Sequence, residues 1–199
     1  MRFKIKEIEW DAPIVKDSPF MDLLGADRKE KVERLANLRL KNMHINSEII
    51  IKEEAAKDLS LSPRDIEIKR TLLGKPFIAG YDNYYFSLSH CDNLILFASD
   101  NTPIGVDIEK SRSSYLKIAE RFFTINEINK IKDSKNPKEE FLLVWTRKEA
   151  YVKLTGKGLS TRLDSFDVHD TSVTRYTTND YISMTDGKNY VYSIAQSVL

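Results

Sequence analysis

Two pairs of strand-like runs, each following a block of helical pattern, constrain the fold of this chain more than any other feature. Residues 84–89 and 93–99 are rich in aromatic and β-branched residues and are joined by a short turn. Residues 181–185 and 189–195 have the same character around Asp186-Gly187. The repetition predicts an α+β fold of two similar halves.

Helical and strand patterns fill in the rest of each half. Apolar residues recur at helical spacing in five segments, which are residues 27–42, 46–58, 114–122, 124–132 and 138–155. Strands are expected at residues 1–10, around Ile66 and Ile68, and at 103–109. We therefore divide the chain into an N-terminal half, residues 1–102, and a C-terminal half, residues 103–199, which carries the candidate metal site.

Composition and charge narrow the possible partners. The chain has 199 residues with 31 basic and 30 acidic side chains, so no overall field draws it to nucleic acid or an anionic membrane. The single cysteine, Cys91, excludes an internal disulfide and a multi-cysteine zinc site. Residues 1–10 contain no apolar stretch typical of a signal peptide or a membrane span. We expect a soluble cytoplasmic protein without nucleic-acid or membrane partners.

Two carboxylates lie two residues apart in the strand that follows Pro103. Side chains alternate along a strand, so Asp107 and Glu109 share one face. Paired carboxylates suit Mg²⁺, which takes one or two of them and completes its shell with water and phosphate oxygens. The alternative is a surface strand whose acids pair with lysines. The pattern alone leaves both interpretations open.

The helix expected at 138–155 carries a stripe of one aromatic and two charged residues. Trp145, Glu149 and Lys153 are each separated by one helical turn. One interpretation is a solvated ion pair. The other is a partly desolvated acid and ammonium at the edge of an apolar face, which is typical of functional groups. Nearby Arg147, Lys148 and Lys157 are expected to add positive potential for a phosphorylated substrate.

Several basic residues in the first half are candidate anion ligands. Arg28, Lys31 and Arg34 recur at three-residue spacing at the start of the first helix, as a phosphate-binding edge or as a solvated face. Lys75 lies in the turn Gly74-Lys75-Pro76, where a bend could direct its ammonium at an anion. His90 ends a strand and is either a phosphate donor or a structural histidine. The common glycine-rich phosphate loops are absent from the sequence.

Taken together, these residues resemble the 4′-phosphopantetheinyl transferases of the two-half, surfactin-synthetase-activating (Sfp-like) type. The two signatures of that family stand here as Ile104-Gly105-Val106-Asp107 and as the run from Trp145 to Lys153. Agreement extends over roughly residues 25–170. It includes Gly74-Lys75-Pro76, Ser87-Leu88-Ser89-His90, Arg121-Phe122-Phe123 with Glu127, and the run from Gly156 to Ser160.

The resemblance implies a fold, a reaction and a set of roles. The fold is a pseudo-twofold pair of α+β halves with the active site between them, and the chain is expected to be a monomer. The reaction moves the phosphopantetheine arm of coenzyme A to a serine of an apo acyl or peptidyl carrier protein. The metal ligands implied for Mg²⁺ are Asp107, Glu109 and Glu149, and the catalytic pair is Glu149, as base, with Lys153. The coenzyme A ligands implied are Arg28, Lys31, His44, Lys75, Ser89, His90 and Lys153.

The sequence departs from the family pattern at two positions. Met43-His44 occupies the place where the family often has Arg-Thr or Arg-Ser near the 3′-phosphate, and Arg28 stands where lysine is common. Two other functions fit parts of the pattern. One is a Mg²⁺-dependent nuclease, because two acids and a lysine echo nuclease sites. The other is a non-catalytic module that binds carrier protein or coenzyme A.

Overall fold

The fold comes from a computed structural model that describes residues 1–9, 19–110, 115–184 and 187–198. The first group of elements is β1 (Arg2–Glu7), α1 (Pro19–Asp22), α2 (Ala26–Arg34), α3 (Leu38–Leu59), β2 (Ile68–Arg70), β3 (Pro76–Ile78), β4 (Tyr85–Cys91) and β5 (Leu94–Asp100). The second group is β6 (Ile104–Lys110), α4 (Tyr115–Phe122), α5 (Ile125–Asp133), α6 (Pro137–Thr155), β7 (Thr174–Ile182) and β8 (Asn189–Ser197). Short 3₁₀ turns lie at Pro63–Asp65, Gly158–Ser160 and Leu163–Ser165.

Two three-stranded antiparallel sheets repeat one topology. Their strand orders are β1-β5-β4 and β6-β8-β7, so in each group the first strand pairs with the last and the last pairs with the one before it. β2 and β3 form a separate small hairpin. The α+β class is confirmed, and the repeated order agrees with the two strand pairs expected from the sequence. The division into halves at residue 102 stays a prediction.

Two element boundaries differ from the sequence prediction. The first pair of helices is interrupted at residues 35–37 and not at 43–45, because the Asn37 side chain accepts a hydrogen bond from Leu40 N (3.0 Å) and caps α3. β7 begins at Thr174, seven residues before the predicted start, and pairs with β8 from Thr174 opposite Ser197. Its threonine-rich first half lacks the apolar alternation that marks a strand. Asp186, in the predicted turn, lies outside the described residues.

One hydrophobic cluster joins the two sheets. It combines buried residues of three strands, which are Leu94, Leu96 and Ala98 of β5, Ile104, Val106 and Ile108 of β6, and Tyr190, Tyr192 and Ile194 of β8. The even-numbered residues of β6 therefore face this core, and the odd-numbered residues face the other way. Neither the 22-residue α3 nor any other helix in the described ranges has an apolar stretch that could span a bilayer.

Gly105 lets helix α6 lie directly against β6. A Cβ at this position would be 2.0 Å from the Ala150 carbonyl oxygen and 2.3 Å from the Leu154 nitrogen. Only glycine fits at such a distance. Asp107 is the next residue along the same face of β6, so the same close approach brings it to the C-terminal half of α6.

Candidate active site

A three-residue polar cluster forms where β4, β6 and α6 meet. Lys153 Nζ lies 2.8 Å from Asp107 Oδ1 and 2.8 Å from Ser89 Oγ, to both of which it donates. Ser89 Oγ donates to the same Asp107 oxygen at 2.7 Å. Asp107 is only 5% exposed. The cluster joins residues 18 and 46 positions apart in sequence, so tertiary packing assembles it.

The second carboxylate oxygen of Asp107 bears on the predicted metal site. Oδ2 is buried and has no hydrogen-bond partner among the described residues, which is costly for a charged group unless a cation or donor compensates it. This oxygen fits a Mg²⁺ ligand, because Mg²⁺ needs few protein carboxylates. Across the described ranges, however, no three His, Cys, Asp or Glu side chains are grouped closely enough to hold a metal. The three-carboxylate site of Asp107, Glu109 and Glu149 therefore stays a prediction.

Glu109 shares the Asp107 face of β6 and also meets β4. Its Oε2 lies 3.6 Å from the Cys91 sulfur, just as Asp107 lies against Ser89 two residues earlier. Burial, followed by the charge of Glu109, raises the pKa of the Cys91 thiol to about 12. The thiol is therefore protonated at neutral pH, which argues against a nucleophilic cysteine beside His90.

A cavity of about 560 Å³, here called the front cavity, opens beside the Asp107 cluster. Its lining includes all seven predicted coenzyme A ligands, namely Arg28, Lys31, His44, Lys75, Ser89, His90 and Lys153. Asp107 and Arg70 line it as well. Sequence reasoning missed Arg70, although it lies in the strand expected from the alternation around Ile66 and Ile68. The cavity has walls from both groups of elements and a strongly basic lining.

The two histidines of this cavity have lowered pKa values, chiefly because of burial and then because of nearby cations. Burial, followed by the charges of Lys31 and Arg28, lowers the pKa of His44 from 6.5 to about 4. Desolvation by the surrounding protein, followed by the Lys153 ammonium, lowers the pKa of His90. The cations that contribute to both shifts also give the cavity a positive potential, which attracts a phosphate.

Arg28 is held in place from two sides. Its Nε donates to Glu48 Oε2 at 2.8 Å, and its guanidinium lies 2.8 Å from His44 Nδ1. The other Glu48 oxygen accepts from Gly25 N at 2.7 Å. His44, at the position where the sequence departs from the family pattern, thus orients an arginine that lines the front cavity.

Lys75 bridges the two groups of elements. Its Nζ donates to the Leu154 carbonyl at the end of α6 (2.9 Å), and its side chain packs where a Cβ on Gly156 would lie. Gly156 has φ +68° and ends α6, as the sequence predicts. Burial lowers the pKa of Lys75. The ammonium lines the front cavity and also caps a helix terminus.

Glu149 lines a smaller cavity of about 390 Å³ next to the front cavity. The two cavities share Val152 and Gly158 in their walls. Arg121 and Phe122, part of the sequence agreement with the family, line the Glu149 side. Glu149 is one turn of α6 before Lys153, so the predicted base and the Lys153 ammonium lie on one stripe of α6 between adjoining cavities.

Lys148 does not add potential to a substrate site as the sequence suggested. Its side chain is fully buried in an ion pair with the fully buried Glu127 (2.9 Å), and its ammonium donates to the Leu163 and Phe166 carbonyls. Glu127 also accepts from Val168 N. Arg147 is likewise occupied, because its Nε donates to Thr178 Oγ1. Both basic residues are structural.

Comparison with known proteins agrees with this arrangement. Residues 103–195 match the family model described as the 4′-phosphopantetheinyl transferase superfamily. The 4′-phosphopantetheinyl transferase ffp of Bacillus subtilis is 34% identical, with 83% of this chain and 75% of the relative covered. Sfp of Bacillus subtilis strain 168 is 31% identical with the same coverage. The transferase gsp of Aneurinibacillus migulanus is 30% identical, with 78% of this chain and 67% of the relative covered.

Proposed function

This chain belongs to the 4′-phosphopantetheinyl transferases, and we propose that it moves the phosphopantetheine arm of coenzyme A to a serine of an apo acyl or peptidyl carrier protein. The second product is adenosine 3′,5′-bisphosphate. One observation carries the proposal, namely the Ser89–Asp107–Lys153 cluster beside a basic cavity that adjoins the cavity of Glu149. The first cavity suits a phosphorylated donor, and the second suits the attacking group.

We assign the phosphates of coenzyme A to the front cavity. Arg28, Lys31 and His44 line it near one another and would face the 3′-phosphate. Lys75, Ser89 and His90, with Lys153, would face the pyrophosphate. Phosphoryl transfer depends on positioning and on neutralising the charge that spreads over the phosphate oxygens. Three cations that would serve this task are held by neighbouring groups. Glu48 holds Arg28, the Leu154 carbonyl holds Lys75, and Asp107 holds Lys153.

Glu149 is proposed to accept the proton of the carrier serine. Its place in the adjoining cavity leaves room for a side chain that approaches from outside, while the phosphates occupy the front cavity. Asp107, with Glu109 and Glu149, would hold Mg²⁺, which when bound supplies charge neutralisation at the pyrophosphate. Lys153 would then exchange part of its contact with Asp107 for the phosphate oxygens.

The proposed reaction is tested by intact-mass measurement. Purified protein with Mg²⁺ and coenzyme A should add one phosphopantetheine mass to an apo carrier protein. No addition on any of several acyl and peptidyl carriers would refute the proposal.

The role of Glu149 is tested by Glu149→Gln. Loss of a general base typically lowers the rate about 10²- to 10⁴-fold, while coenzyme A affinity measured without Mg²⁺ should change little. Glu139→Gln is the matched control, because it removes the same charge from an exposed site on the same helix. Equal transfer rates in both variants would remove Glu149 from the mechanism.

We also propose that the protein acts as a monomer in the cytoplasm. Support for a monomer is that elements of one chain supply every residue named at the front cavity. Light scattering after size-exclusion chromatography should give a mass near 23.0 kDa. The nuclease and binding-module alternatives are not favoured, since the relatives compared above are named as transferases.

A further inference from the structure

A second cavity adjoins the front cavity at Arg28, Lys31 and Arg70, and we call it the rear cavity. Its volume is about 830 Å³, and those three residues line both cavities. The mechanism proposed above makes no use of it. Six basic residues line the rear cavity against three acidic ones, Asp27, Glu48 and Glu67. The basic ones are Arg28, Lys31, Lys52, Arg64, Lys69 and Arg70.

Lys52 is the unusual member of this lining. It is 7% exposed, on the stretch of α3 that also buries Ile49, Ile50 and Ile51. Among the contacts of the described residues, its ammonium has no hydrogen bond and no salt bridge, unlike Lys148, the other deeply buried lysine, which has three partners. The stem of Lys52 is thus enclosed, while its ammonium reaches the rear cavity, where an anion can pair with it.

The acids of the rear cavity do not compensate Lys52. Glu48, one helical turn before it, is the buried one, and its two oxygens already accept from Gly25 N and Arg28 Nε. Glu67 is exposed and lies 3.3 Å from Lys69. Asp27 is exposed in the first turn of the nine-residue helix α2, and no salt bridge among the described residues joins it to Lys52. The first residues of α2 line the cavity, so the positive end of the helix dipole lies at its wall.

From these observations we infer that the rear cavity binds a phosphate-type oxyanion that pairs with Lys52. A tetrahedral dianion can accept from several cations at once, which matches the excess of basic groups. Ile68 and Phe77 form an apolar part of the lining, which could contact the organic part of a phosphate monoester. The anion is therefore either free phosphate or a small phosphorylated compound.

The experiment measures phosphate binding by isothermal titration calorimetry, against chloride at matched ionic strength. Wild-type protein should bind phosphate saturably. Lys52→Met keeps an unbranched side chain of similar length but removes the charge, and it should bind phosphate about 10- to 100-fold more weakly. Lys57→Met is the matched control, because it removes the same charge from the same helix where the lysine pairs with Glu54. It should bind phosphate as the wild type does.

Lys153→Met separates the two cavities, since Lys153 lines only the front cavity of the two. The rear site is supported if Lys52→Met loses phosphate affinity and Lys153→Met keeps it. The proposal is overturned if Lys52→Met keeps its phosphate affinity, or if only Lys153→Met loses it. If Lys52→Met does not fold, crystals of the wild type soaked in arsenate decide the matter. An anomalous peak beside Lys52 Nζ is expected, and its absence refutes the site.

A phenyl phosphate titration distinguishes the two sources of the anion. Tighter binding than inorganic phosphate, lost in Phe77→Ala, identifies a phosphorylated compound. Equal binding identifies free phosphate.

Discussion

Replacing Gly105 by alanine tests whether the contact between β6 and α6 positions the Ser89–Asp107–Lys153 cluster. The added Cβ would lie 2.0 Å from the Ala150 carbonyl oxygen, whereas real Cβ contacts essentially never fall below 3.0 Å. The strand and helix must therefore separate by at least about 1 Å at this point. Overpacking of this kind costs roughly 1–3 kcal/mol. We expect a cost at the upper end of that range, because the opposing Ala150 oxygen and Leu154 nitrogen both belong to the backbone and cannot rotate away.

The same displacement should reach the active site. Asp107 is two residues after Gly105, and its 2.8 Å contact with Lys153 joins the two elements that would separate. A misplacement of about 1 Å can lower a rate about 10²-fold. We therefore expect Gly105→Ala to lose activity well beyond its loss of folded protein.

Urea unfolding followed by circular dichroism gives the stability change, and carrier modification followed by mass gives the rate. Gly80→Ala is the control, because Gly80 has φ +80° and a Cβ added there would have no atom of the described residues within 4 Å. Its expected cost is about 1 kcal/mol of conformational strain, with normal activity. A Gly105→Ala protein as stable and active as the wild type would show that β6 and α6 can separate without consequence.

Three further predictions concern titratable side chains that the fold buries wholly or in part. Lys148→Met should lower the free energy of unfolding by about 3–5 kcal/mol, because Glu127 is left buried without its cation; a urea midpoint close to that of the wild type would contradict this. His44 has a folded pKa of about 4 against 6.5 when unfolded, so the unfolded chain binds the extra proton between these values and stability falls as pH drops through that range. His44→Gln should show a smaller fall in melting temperature over the same range, and equal slopes would exclude His44 as a cause. Asp107→Asn should abolish the Mg²⁺-dependent part of coenzyme A affinity in calorimetry, whereas an unchanged Mg²⁺ dependence would remove Asp107 from the metal site.

The sequence could predict which residues of the candidate site share a face, because those residues lie close together on one strand or one helix. The alternation of a strand places Asp107 and Glu109 on one face, and the turn of a helix places Glu149 and Lys153 on one stripe. Gly156 ends α6 because its φ of +68° is accessible to glycine at little cost. These relations depend on backbone periods that span a few residues, so the sequence alone determined them.

Tertiary structure decided which charges are buried and what they pair with. The same run of α6 contains Lys153, which faces the front cavity, and Lys148, which is enclosed by Glu127 and two carbonyls. Nothing in their spacing separates a substrate ligand from a structural lysine. Desolvation depends on all the atoms that surround a group, and most of these come from elements distant in the chain. For the same reason, the lack of a partner for the Lys52 ammonium among the described residues could be recognised only after α3 had been placed among its neighbours.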